Sequence, residues 1–191
     1  MTTEKTFDMM LGKYCGPALA GIKPANMICV KKERLPLFKT LLKDYNNNMN
    51  RYDIYFSVIN ETETCYILLV YRRTKLMMHL NNLLVKEQLI ADGYPNTNNL
   101  AEQINMLRKR FVDSSTPPDE IGLFLGYPME DVLGFKENRG KGCLMAKYWK
   151  VYANVNETQK LFDRYDRCKA ALINRISRGV SIIDIFTKTV A

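Results

Sequence analysis

Residues 53–71 read DIYFSVINETETCYILLVY, and this stretch decides the fold class. Asp53 to Ile59 and Thr64 to Tyr71 are rich in β-branched and aromatic residues, which suit a pleated, half-buried surface. Between them, Asn60-Glu61-Thr62-Glu63 is polar and turn-forming. A β-hairpin is the natural reading. Upstream, Gly21 to Val30 is expected to be extended. Residues 33–48 place Leu35, Phe38, Leu41, Leu42 and Tyr45 at helical spacing, with Pro36 in the first turn.

Downstream, residues 74–91 and 98–112 predict helices separated by the breaker Asp92-Gly93-Tyr94-Pro95. After Pro117-Pro118 comes DEIGLFLGYPMEDVLGF, starting at Asp119, which reads as two short helices broken at Gly126-Tyr127-Pro128. Leu144 to Tyr152 is expected to form a fourth strand. A terminal helix over residues 157–178 follows, with Asn156 as N-cap and Gln159 three residues on, close to a capping box. Without regular βα alternation, these elements predict an α+β fold: a small, mostly antiparallel sheet of about four strands, covered by helices.

The chain has 191 residues, a length suited to a single domain spanning 1–191. Its composition, 47% hydrophobic and 25% charged, excludes wholesale disorder. The longest apolar run, Cys65 to Tyr71, falls far short of the roughly 20 residues a membrane helix needs, so no membrane association is expected. Glu4, Lys5, Asp8 and Lys13 interrupt any secretory signal. Cys15, Cys29, Cys65, Cys143 and Cys168 are widely spaced and form no CxxC. They read as reduced thiols of a cytoplasmic protein. With one histidine, His79, and neither GxxxxGK[ST] nor GxGxxG, neither a metal nor a standard nucleotide cofactor is expected.

Two features carry functional expectations. Cys15-Gly16-Pro17-Ala18-Leu19-Ala20 resembles the nucleophile segment of papain-like, bacteriocin-processing peptidases, where the cysteine begins a helix whose N-terminus lowers the thiol pKa. That chemistry also needs a histidine base, and His79 sits mid-helix by pattern. Charge is the second feature. Of 28 basic and 20 acidic residues, residues 136–191 hold 12 basic and 5 acidic. On the terminal helix Lys160, Arg164, Arg167, Arg175 and Arg178 fall within an arc of about 80°. Leu161, Tyr165, Cys168, Leu172 and Ile176 form the core face, and Asp163 is placed to pair with Arg167.

The leading expectation is therefore a binding or interaction module whose basic helix faces an acidic protein or an anionic ligand. A thiol-dependent enzyme centred on Cys15 and a nucleic-acid binder are the alternatives. A helix face simply left in solvent would show the same stripe.

An ordered series of motifs carries a resemblance. It runs from Gly21-Ile22-Lys23-Pro24-Ala25-Asn26 through Asp119 to Pro128, Glu130-Asp131-Val132 and Gly134-Phe135, to Trp149-Lys150-Val151-Tyr152. From about Cys15 to the terminal helix the chain resembles the family catalogued as domain of unknown function 3793. The resemblance implies a small cytosolic protein, mainly of anaerobic Gram-positive bacteria, and no established activity. It adds Lys23 and Asn26 as candidate binding residues. The family pattern often has a histidine where this chain has Asp119, and commonly a glycine where it has Tyr148. Gly122, Gly126 and Gly134 each cost a helix roughly 0.5–1 kcal/mol relative to alanine, so they are expected where another element or a ligand approaches the backbone closely.

Overall fold

A computed structural model describes residues 2–113 and 116–188. Along the chain run α1 (Thr3–Leu19), β1 (Ala25–Lys31), α2 (Phe38–Met49), β2 (Ile54–Glu61), β3 (Cys65–Arg72), α3 (Arg73–Leu80) and α4 (Leu83–Ala91). Then come α5 (Leu100–Asp113), α6 (Ile121–Phe124), α7 (Met129–Glu137), β4 (Met145–Ala146), β5 (Lys150–Val151), α8 (Val155–Ser177) and α9 (Ile182–Thr187). The fold is α+β. Two compact units are present, one made of Met1–Lys75 with Arg167–Ala191, the other of Leu76–Asp166.

The first unit is built on the hairpin. β2 and β3 pair antiparallel, β1 pairs antiparallel with the other side of β3, and the strand order is β1-β3-β2. One face carries Ile28, Val30, Phe56, Leu68 and Val70 into the core. Onto it α1 lays Phe7, Leu11, Cys15 and Leu19, while α2 supplies Phe38, Leu41, Leu42, Tyr45 and Met49. Leu172 and Ile176 of α8, with Ile182 and Ile185 of α9, complete the core.

The sequence reading does not anticipate α1, because Gly12, Gly16 and Pro17 punctuate it. The glycines mark contact instead: a Cβ at Gly12 would stand 2.7 Å from Ile176 Cδ1, and one at Gly16 would stand 3.1 Å from Leu172 Cδ1. Pro17 cannot continue the hydrogen-bond ladder, and the neighbouring Ala18 N–H is taken by Asn26 Oδ1 at 3.1 Å.

Other boundaries shift for local reasons. Residues 32–34 form a 3-10 turn and α2 begins only at Phe38, because Leu35 precedes a proline and takes an extended φ of −137°. Helix 74–91 is two helices, divided where Asn82 caps α4 by accepting from the Leu84 N–H at 3.2 Å. α8 starts at Val155 after Asn154 in a left-handed conformation (φ 51°). Asn156 is thus inside the helix rather than its cap, and Gln159 donates to Asp163 at 2.7 Å instead of closing a capping box.

In the second unit α6 and α7 flank the break at Gly126-Tyr127-Pro128, as the sequence suggests. The expected fourth strand is a correction. Residues 144–152 fold back on themselves, β4 pairing with β5 as a separate two-stranded sheet, with the Lys147 N–H donating to Trp149 O at 3.2 Å. The aromatic content that suggests a strand serves side-chain anchoring here. The Trp149 indole reaches Asp131, and the Tyr148 hydroxyl donates to Asp166 at 2.5 Å.

Candidate functional site

In the second unit, the segment from Glu120 to Pro128 is fixed from both sides. Glu120, 2% exposed, accepts from Arg110 Nε at 2.8 Å and from the Tyr94 hydroxyl at 3.2 Å. His79 Nε2–H donates to the Leu123 carbonyl at 2.9 Å, and burial holds the imidazole pKa below its ordinary value. The glycines then admit neighbours. A Cβ at Gly122 would lie 2.8 Å from Val132 Cγ2 and 3.0 Å from the Tyr127 ring, and one at Gly134 would lie 2.6 Å from the ring of Tyr152. This close approach holds α6, α7 and the β5 end together.

Their meeting leaves a cavity of about 530 Å³. Its walls are apolar and aromatic, with Pro117 and Pro118 at one edge and Ile121, Tyr127, Phe135 and Trp149 around it. Tyr127 and Trp149 stack with ring centroids 4.5 Å apart, and Phe162 meets the indole edge-on at the same separation. Burial pushes the Tyr127 hydroxyl up to about 12. The 2% exposed Asp131 anchors this wall. One of its oxygens accepts from Trp149 Nε1 at 2.7 Å, and the other accepts from the N–H groups of Tyr152 at 2.7 Å and Ala153 at 3.2 Å. Asp119 and Lys150, of opposite charge, are exposed among the lining residues. Volume, aromatic walls and a few polar groups are the attributes of a small-molecule site.

Most of the motifs that carry the family resemblance converge here, including Asp119 and Tyr148, the two positions that depart from its pattern. Sequence reasoning names none of these residues as a site. The available signal was glycine inside helices, at Gly122 and Gly134.

The expected site residues lie elsewhere. Cys15 is in the last two turns of α1 rather than at a helix start, is wholly buried, and has its thiol pKa raised by that burial. A helix N-terminus therefore does not activate it. Lys23 is 4% exposed, and burial lowers its amine to about 7, with Cys15 nearby. Asn26 secures the end of α1. The Gly21–Asn26 motif is thus the turn that delivers α1 into β1. Lys160, Arg164, Arg167 and Arg175 are exposed along α8, and Arg178 is exposed just past its end. Among the described residues none of the five makes a salt bridge. Asp163 is held by Gln159 rather than by Arg167.

A family model described as "Protein of unknown function (DUF3793)" matches residues 11–186. No curated protein and no solved structure matches the chain. Among the described residues no helix is long and apolar enough to cross a membrane.

Proposed function

The chain belongs to the DUF3793 family, and we propose that it is a binding protein that takes a planar, largely apolar small molecule into the cavity between α6, α7 and β5. The observation that carries this reading is the aromatic wall organised by Asp131: a buried carboxylate accepts from the Trp149 indole and from the backbone N–H groups just beyond it. Rigid aromatic faces bind flat ligands at small entropic cost. Lys150, whose ammonium donates to the Gly140 carbonyl at the cavity edge, adds positive charge that favours a ligand with an anionic edge.

Trp149 is the chain's one tryptophan, so its fluorescence reports on the cavity directly. Titration with planar heteroaromatic probes, some neutral and some carboxylated, is expected to quench it saturably. Ile121→Phe, which narrows the cavity, should weaken binding by about tenfold or more, equivalent to about 1.4 kcal/mol. Lys150→Gln should weaken only the carboxylated probes, by about threefold. Quenching that is linear in probe and indifferent to Ile121→Phe would remove the reading.

A second reading rests on the exposed, unbridged cations of α8, which suit an acidic protein partner. Replacing Arg164, Arg167, Arg175 and Arg178 with Gln keeps helix propensity nearly unchanged. Stability should move little, because exposed charges contribute about 0–1 kcal/mol each. Capture of an acidic protein should collapse, and the parent's capture should weaken steeply with salt. Binding of oligonucleotides with a log–log salt slope of several units would point to nucleic acid instead. Loss of neither activity leaves the stripe as a solvated face.

A further inference from the structure

The first unit carries a pair of thiols that neither reading uses. β1 alternates its side chains, Ile28 and Val30 entering the core while Cys29 and Lys31 point the other way. On β3, Leu68 and Val70 enter the core, so Cys65 shares the face of Cys29. In the β1–β3 register Cys29 stands opposite Ile67 and Lys31 opposite Cys65. Cys29 and Cys65 are therefore diagonal neighbours on one face of adjacent strands, near enough for each thiol to bias the other's ionisation. Cys29 is exposed and Cys65 partly so.

The surroundings of the two sulfurs differ. The Thr62 hydroxyl accepts from the Cys65 N–H at 3.1 Å and lies 3.2 Å from Cys65 Sγ and 3.3 Å from the Cys65 carbonyl oxygen, so its one proton is shared between sulfur and carbonyl. The ammonium of Lys32, paired with Glu61 at 2.9 Å, adds positive charge nearby. These contacts favour the thiolate of Cys65, whereas burial and the neighbouring sulfur hold Cys29 in its thiol form.

We propose that Cys29 and Cys65 form a reversible dithiol site whose substrate is a low-molecular-weight disulfide, and that its product is a cross-strand bond tying β1 to β3. In the first step Cys65 thiolate attacks one sulfur of the small disulfide, forming a mixed disulfide and expelling one thiolate. Cys29, giving its proton to the medium, then attacks Cys65 Sγ and expels the second thiolate. The two protein thiols lose two electrons, the small disulfide gains them, and both leaving thiolates take up protons according to their pKa. Diagonal Cβ atoms lie roughly 7–8 Å apart or somewhat less, against the roughly 3.5–4.5 Å of a disulfide, so the bond requires β1 and β3 to shift toward each other by a few ångström. Cys65 is the first residue of β3, directly after the Thr62–Thr64 turn, so the required shift falls at the end of the strand rather than within it.

The test uses the full chain under native conditions with glutathione disulfide, followed by alkylation of remaining thiols and peptide mapping. The expected product is a Cys29–Cys65 link, with Cys15 unmodified. Cys29→Ser should stop the reaction at a glutathione adduct on Cys65, and Cys65→Ser should slow modification at Cys29 by about tenfold. Both positions are at least partly exposed, so the parent alone also decides the matter. Separate glutathione adducts on the two cysteines without a link, or the same mixture of pairings as in the urea-unfolded chain, would overturn the proposal.

Discussion

Asp131→Ala is expected to destabilise the chain by about 3–5 kcal/mol. Three donors converge on this 2% exposed carboxylate: the Trp149 indole N–H and the backbone N–H groups of Tyr152 and Ala153. A hydrogen bond to a charged group contributes about 1.5–3 kcal/mol, and a buried donor left unsatisfied costs about 1–3 kcal/mol. Asn at this position keeps one carbonyl oxygen but turns an NH₂ toward a donor, so Asp131→Asn should recover only part of the loss. Urea unfolding followed by Trp149 fluorescence measures both variants. In a Trp149→Phe background, followed by circular dichroism, the cost of Asp131→Ala should shrink by about 1–2 kcal/mol, because the indole donor is already absent. A loss below about 1 kcal/mol in the parent background would mean that the aromatic wall holds itself in place by packing alone.

The second large effect is a pH dependence of the first unit. Burial lowers Lys23 from 10.5 to about 7 in the folded chain, while the unfolded chain keeps the ordinary value. Between these limits the unfolded state binds more protons, so stability rises with pH, by about 1.4 kcal/mol per unit. Cys15 opposes this higher up. Its folded pKa is raised above 9.0, so above that pH the unfolded chain releases a proton that the folded chain retains, and stability falls. The net expectation is a gain of about 2–3 kcal/mol from pH 7 to pH 9, levelling beyond. Lys23→Met removes the titrating amine and should flatten the rise. Urea midpoints for the parent and the variant at pH 7, 8 and 9 measure it, and parallel profiles for the two chains would sink the assignment.

The hairpin was legible because local chemistry and tertiary environment agree there. Ile54, Phe56, Leu68 and Val70 have strand propensity and also face the core. α1 was not legible, since Gly12 and Gly16 signal a break by propensity, and their purpose, the approach of Ile176 and Leu172, depends on residues more than 150 positions away. Residues 144–152 misled in the opposite sense. Tyr148 and Trp149 favour a strand, but Asp166 and Asp131 capture them by side chain and the backbone turns back. For the cavity the motifs were visible in order along the chain, whereas their convergence on one space required three dimensions. Lys23 and Asn26 look like exposed polar ligands in the sequence. They are a buried amine and a helix-end acceptor, because a turn motif rich in polar residues can face inward when backbone donors there need partners.

The way the first unit is interrupted bears on how the molecule is made. Its sheet and first two helices are complete by residue 72, yet the core they form also needs Leu172, Ile176, Ile182 and Ile185. A ribosome adding about 5–20 residues per second supplies that last piece on the order of 5–20 seconds later. Throughout this interval the nascent sheet shows apolar surface to the medium, whereas residues 76–166 have already emerged as a contiguous unit. Maturation of the first unit therefore waits for residues 172–185, and the growing polypeptide is a natural client for a chaperone that shields hydrophobic segments until they emerge.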